Sequence, residues 1–408
     1  MQAQQVFAGI KVLTVAKVYA APYAAYQFAL NGADVIAIEE PGKGDSTRSG
    51  GSPASADLSR EFMGAAFLAH GANKRSLTLN LREPAAQEVF KKLARDADII
   101  IENLRTGDME RYGLGYDVIR DLNPRIIYAS LTGYGQTGPK KRDAAIDTVV
   151  QAASGLMSLT GTLESGPVRA GATVIDYQAG LALTAALSMA LYQRERIGEG
   201  QRVDVSMLET ALSCLSAVVS EVVNGGFEPE LIGNKAAAGT PLSDCMPCKE
   251  GHIMIAASGG ARRRRLFEAL GRVDIVDDPR NATNDQLRRN AAAIYAEIEP
   301  IFHQRTASEW EEILNKAGVP AMRVYSVKEA VEQPQVKARG LYHMFEDVPG
   351  IPGAGRKISV TSAPYKLSKS PAKLHSPPPQ LGQHSSEILG GLGYSEVDIL
   401  ALRDAGVI

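Results

Sequence analysis

The first half of the chain alternates short apolar runs with helical patterns, and this alternation constrains the fold more than any other feature. Buried-type strands are predicted at residues 10–15, 34–38, 76–81, 98–101 and 125–131. Helical periodicity falls between them at 22–30 and at 83–94, where Ala86, Val89, Phe90 and Leu93 share one face. Strands that alternate with helices favour an α/β fold with a parallel, doubly wound sheet that is covered on both faces.

The second half of the chain changes character. A strand at 202–205 and a helix at 208–223 are followed by a Gly-rich stretch that is typical of a linker. A smaller unit follows, with strands at 253–257 and 321–325 and helices near 264–271, 289–303 and 308–317. Beyond Val327 turns and Pro-rich pieces dominate, and helices are predicted only near 387–389 and 395–402. The predicted domain segments are therefore 1–224, 225–326 and 327–408.

Charge and composition exclude several classes of protein. The 408 residues carry a formal net charge of −2, which does not resemble the basic footprint of a nucleic-acid binder. No stretch reaches the roughly 18 apolar residues that span a bilayer, and the first seven residues lack the pattern of a signal peptide. Three cysteines fit a reducing compartment. We expect a cytoplasmic protein that acts on neither nucleic acid nor membrane.

Two short motifs suggest cofactor or metal chemistry but lack its context. Gly133 to Gly138 fits G-x-G-x-x-G after a predicted strand, yet Pro139 and a charged loop follow where a dinucleotide site needs a helix. Cys245 and Cys248 form a C-x-x-C inside a turn-like stretch, and only His252 lies close enough in sequence to add a ligand. We expect a surface turn in the first case, and neither a metal site nor a redox pair in the second.

A single carboxylate, Asp176, stands between a small apolar run and a long apolar helix at 181–192. Aspartate commonly caps a helix N-terminus, and that interpretation explains its position. Backbone N–H groups and the helix dipole would also keep such a carboxylate anionic, and an anionic carboxylate can attack a thioester carbonyl. The residues alone leave both interpretations open.

The sequence around Asp176 resembles the class III CoA transferases, the family of formyl-CoA transferase and carnitine-CoA transferase. The resemblance runs in order over nearly the whole chain. Its pieces are FAGIKVL (7–13), GADVI (32–36), Gly44, Asp45, Arg48, NKRSL (73–77), ENLR (102–105), GLGY (113–116), NPR (123–125), GP (138–139), RERIGEGQRVDV (194–205), VP (319–320) and LGQH (381–384).

The resemblance implies a covalent mechanism and a set of site residues. Asp176 falls at the family's catalytic aspartate, which forms an acyl anhydride and then an aspartyl-CoA thioester without metal, ATP or other cofactor. An acyl-CoA and a small carboxylic acid are the implied substrates. The positions that match CoA contacts in the family are Lys17, Val18, Tyr19, Leu79, Arg82, Asn103, Leu104 and Arg111.

The resemblance also implies the assembly, an interlocked homodimer whose large domain is built from both chain ends. Three departures put oxalate or formate in doubt as the acid: Glu40 replaces an arginine near the CoA adenine, Ala144 replaces a lysine, and the glycine-rich loop is reduced to residues 236–240.

Two rival functions share the same scaffold. An α-methylacyl-CoA racemase needs two bases on opposite sides of the α-carbon, one of them a histidine where this chain has Ile146. A non-catalytic acyl-CoA binding protein is the other alternative, and the intact Asp176 counts against it.

Overall fold

The structure is a computed structural model that describes residues 5–235, 242–351, 353 and 355–408. The shortened loop predicted at 236–240 lies outside the described residues. The described strands are, in chain order, β1 (Lys11–Val15), β2 (Asp34–Glu39), β3 (Lys74–Thr78), β4 (Ile99–Glu102), β5 (Ile127–Thr132), β6 (Gly161–Thr162), β7 (Gly166–Pro167), β8 (Gln201–Ser206), β9 (Ser243–Pro247), β10 (His252–Ala256), β11 (Ala321–Arg323), β12 (Tyr342–Phe345) and β13 (Ile358–Thr361).

The helices are numbered in the same way. They are α1 (Ala20–Leu30), α2 (Ser46–Ser49), α3 (Ala56–Arg60), α4 (Ala65–Gly71), α5 (Pro84–Ala94), α6 (Asp108–Arg111), α7 (Tyr116–Leu122), α8 (Asp147–Ala153), α9 (Leu156–Leu159), α10 (Val174–Ile197), α11 (Met207–Cys214), α12 (Ser216–Gly225), α13 (Gly260–Leu270), α14 (Val273–Asp277), α15 (Asn284–Phe302), α16 (Ala307–Lys316), α17 (Val327–Glu332), α18 (Pro334–Ala338), α19 (Ser385–Gly391) and α20 (Glu396–Asp404).

Six strands form one parallel sheet in the order β3-β2-β1-β4-β5-β8, which confirms the predicted parallel α/β sheet. The direction of winding reverses between β1 and β4. Successive side chains of a strand point to opposite faces. Val12 and Ile99 accordingly join one apolar core, and Leu13 and Ile100 join another. Ligands of such sheets bind outside the carboxyl ends of the strands at the reversal point, so β1 and β4 mark where to look.

Helix α10 is the core helix of the unit that contains the six-stranded parallel sheet, called the large unit below. Ile175, Ala179, Leu183 and Leu187 are buried on one side of it, in the same apolar core as α1. Gly180 lies where the two helices meet, because a Cβ there would come within 2.6 Å of the Ala20 carbonyl oxygen. The close approach of these helices brings the start of α10 beside the loop after β1.

The expectation that no stretch is long and apolar enough to span a membrane was wrong. Helix α10 has 24 residues with a mean hydropathy of 1.4 in its apolar window, and α11 with α12 passes the same test as a pair bent by 80°. A helix in the core of a folded unit can meet these criteria as well, because the criteria depend only on helix length and composition.

Several predicted elements differ from the structure. The single helix predicted at 208–223 is broken after Cys214, where the Ser216 hydroxyl donates to the Ser213 carbonyl oxygen and competes with the helical pattern. The strand predicted at 76–81 begins earlier, at Lys74, and ends at Thr78. The segment beyond Val327 contains an antiparallel pair, β12 with β13, that the turn-rich sequence did not reveal.

The chain forms two compact units. The first comprises Met1–Leu156, Arg169–Phe227 and Arg339–Ile408, and the second comprises Met157–Val168 and Glu228–Ala338. In the second unit, the antiparallel sheet β11-β10-β9 packs with Leu266, Phe267, Ile298 and Trp310 in one apolar core. The domain boundaries drawn from the sequence stay a prediction.

Candidate active site

Asp176 lies in the first turn of α10, at its third residue. The helix begins at Val174, and Thr173 precedes it with φ −79° and ψ 65° and no side-chain capping bond. Asp176 is therefore not the N-cap residue that the sequence suggested. Its side chain lies within the first turn and is largely buried, with the residue 9% exposed.

A second carboxylate, Asp147, takes the capping role. Its Oδ2 accepts hydrogen bonds from the backbone N–H groups of Ile175 (N···O 2.7 Å) and Asp176 (3.1 Å), and its Oδ1 accepts from Gln151 Nε2 (2.5 Å). Asp147 begins α8, and the residue is 3% exposed. Because Asp147 occupies these two donors of α10, they do not stabilise an anionic Asp176.

The charge state of Asp176 consequently differs from the sequence-based expectation. Burial, and secondly the negative charge of Asp147, raises the pKa of Asp176 to about 7. Among the described residues, no donor forms a hydrogen bond or ion pair with the Asp176 carboxyl group. The helix N-terminus was expected to hold this carboxylate anionic, and that expectation was wrong because burial and a like charge outweigh the helix dipole. The carboxyl group titrates near neutral pH, in the range where a catalytic group is useful.

Asp147 is not among the site residues predicted from the sequence, because its role depends on a contact across 29 positions of the chain. Asp followed four positions later by Gln is a common helical pattern. Nothing in it indicates that Asp147 contacts the start of α10 or that Gln151 contacts Ala170 and Ala172 before that helix.

An aromatic cluster lies beside Asp176. Tyr177 packs edge-on against Tyr23 (ring centroids 5.0 Å apart) and lies 6.2 Å from the ring of Tyr19. The ring of His70 contacts Tyr177 at 5.4 Å, and its Nε2 lies 3.1 Å from the Tyr177 hydroxyl oxygen. Tyr19 is one of the predicted CoA contacts, so the cluster connects the loop after β1 with the start of α10.

Four of the predicted CoA contacts line one cleft at the carboxyl ends of the strands: Lys17, Leu79, Arg82 and Leu104. Arg111 does not line it, although its guanidinium pairs with Asp108 (3.0 Å) and contacts the Tyr112 hydroxyl (3.4 Å), and Asp108 and Tyr112 are lining residues. The structure thus brings three cationic side chains, Lys17, Arg82 and Arg111, to one edge of the sheet.

The loop after β1 is held by side-chain contacts to its backbone. Asn103 Oδ1 accepts from the Lys17 N–H and Asn103 Nδ2 donates to the Lys17 carbonyl oxygen, both at 2.8 Å. Val18 has φ 70°, a strained value for a β-branched residue, and its N–H donates to Asp45 Oδ2 at 2.8 Å. Asn103 follows β4, so this contact spans the point where the sheet reverses its winding.

Glu40, which replaces an arginine of formyl-CoA transferase, pairs with Arg82 (3.2 Å) and Lys43 (3.0 Å) at the rim of the cleft. These two cations lower the pKa of Glu40, the Lys43 hydrogen bond most strongly. The carboxylate neutralises part of the positive charge that a phosphate group would meet there. The replacement therefore weakens the electrostatic attraction between the cleft and an anionic ligand.

The remaining motifs have structural roles. Gly135, in the G-x-G-x-x-G stretch, has φ 84° in a turn after β5, and the next helix begins only at Asp147, as expected for a turn. Burial raises the pKa of both Cys245 and Cys248, the latter to about 11, which disfavours reactive thiolates. Among the described residues no group of three or more His, Cys, Asp or Glu is arranged to hold a metal ion.

The racemase alternative gains no second base from the structure. Ile146 is exposed, and His70, the histidine that the described part of the chain brings to this region, contacts Tyr177, which follows Asp176. Burial, and secondly the charge of Lys74, lowers the pKa of His70 to about 3. A histidine with so low a pKa is a weak base.

Comparison with known proteins agrees with this geometry. The family model described as CoA-transferase family III matches residues 7–385. An acyl-CoA transferase from Fusarium pseudograminearum is 36% identical, over 99% of this chain and 89% of its own length. A succinate–glutarate CoA-transferase from Agrobacterium fabrum is 35% identical, over 94% of this chain and 95% of its own length.

A solved structure is similar as well. The crystal structure of a CAIB/BAIF family protein from Brucella suis superposes with a TM-score of 0.85 at 31% identity, and the match covers 95% of this chain and all of that one. The resemblance noted in the sequence is confirmed. The chain belongs to CoA-transferase family III and is an enzyme of the transferase class.

Proposed function

We propose that this enzyme moves CoA from an acyl-CoA thioester to a free carboxylic acid through covalent intermediates on Asp176. The observation that carries the proposal is a buried carboxyl group with a pKa of about 7 and, among the described residues, no cationic partner, next to the loop that Asn103 holds. A paired carboxylate would be a weak nucleophile, whereas an unpaired one in a desolvated site is reactive.

The reaction proceeds in four balanced steps. An Asp176 carboxylate oxygen attacks the thioester carbonyl carbon, and the C–S bond breaks. CoA leaves as a thiolate, and a mixed anhydride between Asp176 and the acyl group remains. The thiolate attacks the Asp176 carbonyl carbon, which releases the first acid and forms an aspartyl-CoA thioester. The second acid attacks this thioester to form a new anhydride and free the thiolate. The thiolate then attacks the acyl carbon of the second acid, which yields the new acyl-CoA and restores Asp176.

The residues around Asp176 have separate tasks in this mechanism. Asp147 fixes the start of α10 and raises the pKa of Asp176, which makes the carboxylate a stronger nucleophile once it is deprotonated. Lys17, Arg82 and Arg111 supply positive charge for the phosphates of CoA at the strand ends. The loop from Lys17 to Tyr19 leads the thioester end towards Asp176. No metal or other cofactor takes part in these steps.

We propose that the acid substrate is a dicarboxylic acid larger than oxalate. The support is the succinate–glutarate CoA-transferase, which matches over 95% of its length. Glu40 and Ala144, which depart from formyl-CoA transferase, count against oxalate and formate.

We further propose that the active form is an interlocked homodimer, as the family resemblance implies. Met189 and Tyr192 on α10 and Val223 on α12 are at least 64% exposed, which is unusual for apolar side chains on the helices of a core. A second copy would cover them. Sedimentation at nanomolar concentration should then show one species near twice the chain mass of 43.5 kDa.

A donor–acceptor panel tests the function. Succinyl-CoA is mixed with free glutarate, oxalate, formate, malate or carnitine, and new CoA thioesters are identified by mass spectrometry. We expect glutaryl-CoA to form with glutarate. Hydrolysis of succinyl-CoA without any transfer, or binding of CoA without turnover for every pair, would contradict the proposal.

A further inference from the structure

One buried histidine has no role in the mechanism derived above. His70 lies in the last turn of α4, and the residue is 4% exposed. Four tyrosine rings surround its imidazole, with centroids at 5.4 Å for Tyr177 and Tyr23, 6.0 Å for Tyr19 and 6.2 Å for Tyr26. Among the residues that the structure describes, only Tyr177 is within hydrogen-bond distance of the His70 imidazole, with Nε2 and Oη 3.1 Å apart.

The neighbourhood keeps this imidazole neutral. Lys74 lines the same small cavity, and its Nζ donates to the Pro22 carbonyl oxygen at 2.8 Å. Burial and the charge of Lys74 oppose protonation of His70. A neutral imidazole has one donor and one acceptor nitrogen, so it can make a single directional hydrogen bond to the phenol without adding charge to the site.

Tyr177 is placed to contact the reacting group. It follows Asp176 in the chain, and its ring lies between Tyr19, on the loop that leads to CoA, and Tyr23, on the first turn of α1. Burial first, and after it the neighbouring Tyr19, Tyr23 and Asp176, raise the pKa of the Tyr177 phenol, so the hydroxyl stays protonated. Half-buried phenols usually have a fixed partner, and here that partner is His70.

We infer that Tyr177 contacts the acyl group or free acid that is bound at Asp176, and that His70 is a positioning residue that fixes the direction of the Tyr177 hydroxyl. The inference rests on the proposed function, because it assigns the acyl side of the same site. It concerns recognition of the acid and not of CoA, since the contacts of Lys17, Arg82 and Leu104 lie in the separate cleft.

Four variants separate this role from a structural one. Tyr177→Phe removes the hydroxyl, His70→Phe retains a ring without a hydrogen-bonding nitrogen, and His70→Gln retains a donor and an acceptor. The double variant His70→Phe/Tyr177→Phe shows whether the two residues act as a unit. Tyr128→Phe is the matched control, because it removes a buried tyrosine hydrogen bond (to the Leu114 carbonyl oxygen, 3.0 Å) in the other apolar core of the sheet.

The readouts are kcat/KM for glutarate with succinyl-CoA as donor, and the Kd of free CoA. We expect Tyr177→Phe and His70→Phe each to lower kcat/KM for glutarate about tenfold without changing the Kd of CoA. The double variant should lose no more than either single variant, and His70→Gln should recover most of the activity. Tyr128→Phe should lower the melting temperature without changing kcat/KM per folded enzyme.

Three outcomes would overturn the inference: unchanged kcat/KM in His70→Phe, multiplied losses in the double variant, or a His70→Gln variant as impaired as His70→Phe. If His70→Phe fails to fold, Tyr177→Phe compared with Tyr128→Phe decides, and an active Tyr177→Phe contradicts the inference. The wild type separates this test from that of the proposed function. No transfer by wild type rejects the function, whereas transfer that is insensitive to His70 rejects only the positioning role.

Discussion

Two buried carboxyl groups of the large unit, Glu39 and Asp176, have opposite surroundings. Glu39 is bound by Arg48 through two parallel hydrogen bonds (2.6 and 2.7 Å) and also accepts from the Ser76 hydroxyl (2.7 Å). Asp176 faces another carboxylate, Asp147, and its own carboxyl group has no cationic partner among the described residues. Both side chains are removed from water, so the two carboxyl groups differ in the protein groups that take the place of water around them.

A buried carboxylate with a cationic partner, such as Glu39, serves the fold, whereas we propose that one without such a partner, Asp176, serves chemistry. Arg48 also donates to the Phe62 and Pro379 carbonyl oxygens (3.2 and 3.1 Å), so the Glu39 pair connects β2 with the C-terminal segment. Breaking such a pair leaves an uncompensated buried charge. The carboxyl group of Asp176 forms no such bond among the described residues, and burial makes it costly to ionise. Unpaired carboxyl groups with a strongly raised pKa cluster at functional sites, which agrees with the role proposed for Asp176.

The largest expected effect is a loss of CoA transfer on substitution of Asp176, which distinguishes Asp176 from Glu39. Asp176→Asn retains the shape of the side chain but removes the nucleophile, so transfer should fall by more than about 10³-fold. Circular dichroism and sedimentation should match wild type, because Asn disturbs no contact that holds the fold. A folded Asp176→Asn variant with near wild-type transfer would remove the basis for covalent catalysis.

The corresponding substitution of Glu39 should lower the stability of the fold. Glu39→Gln leaves Arg48 buried without its counter-charge, and we expect it to lower the free energy of unfolding by about 3–5 kcal/mol. Chemical denaturation measures this, with Glu40→Gln at the cleft rim as the half-buried control that should cost less than about 1 kcal/mol. A Glu39→Gln protein as stable as wild type would show that the pair does not hold the fold.

A third prediction uses the pH dependence of the nucleophile. Because the carboxylate is the reactive form and its pKa is about 7, formation of the first intermediate should rise about tenfold between about pH 6 and pH 8. Asp147→Asn removes the like charge, lowers the pKa of Asp176 and should shift this profile to lower pH. A single-turnover profile that is flat over this range, or one that Asp147→Asn leaves in place, would contradict the assigned coupling.

The smallest effect concerns the stability of the same variant that abolishes transfer. The folded-state pKa of Asp176 is raised above the unfolded value, so its ionisation opposes folding as pH rises from about 4 to about 7. Asp176→Asn should therefore be more stable than wild type by roughly 1–3 kcal/mol at about pH 8, after allowance for its partial exposure. At about pH 5 most of this gain should be absent, and equal gains at both pH values would show that charge is not the cause.

The sequence predicted the parallel sheet because strand-forming apolar runs such as Ile99–Glu102 can be recognised without knowledge of the rest of the fold. Family resemblance also proposed Asp176 and the CoA contacts, and four of these contacts, Lys17, Leu79, Arg82 and Leu104, line one cleft. The capping by Asp147 and the His70–Tyr177 contact were not predictable, since each joins residues far apart in the chain. The pKa of Asp176 was misjudged for the same reason, because burial and a neighbouring charge are properties of the folded protein.

The most direct test of the central claim is to trap the intermediate on Asp176. The enzyme is incubated with succinyl-CoA, treated with hydroxylamine and digested, and the peptide containing Val174–Ile197 is examined by mass spectrometry. An activated Asp176 carboxyl should become a hydroxamate at that residue, and the modification should be absent from Asp176→Asn. An unmodified Asp176 under conditions where CoA transfer proceeds would contradict a covalent mechanism and favour direct transfer between two bound substrates.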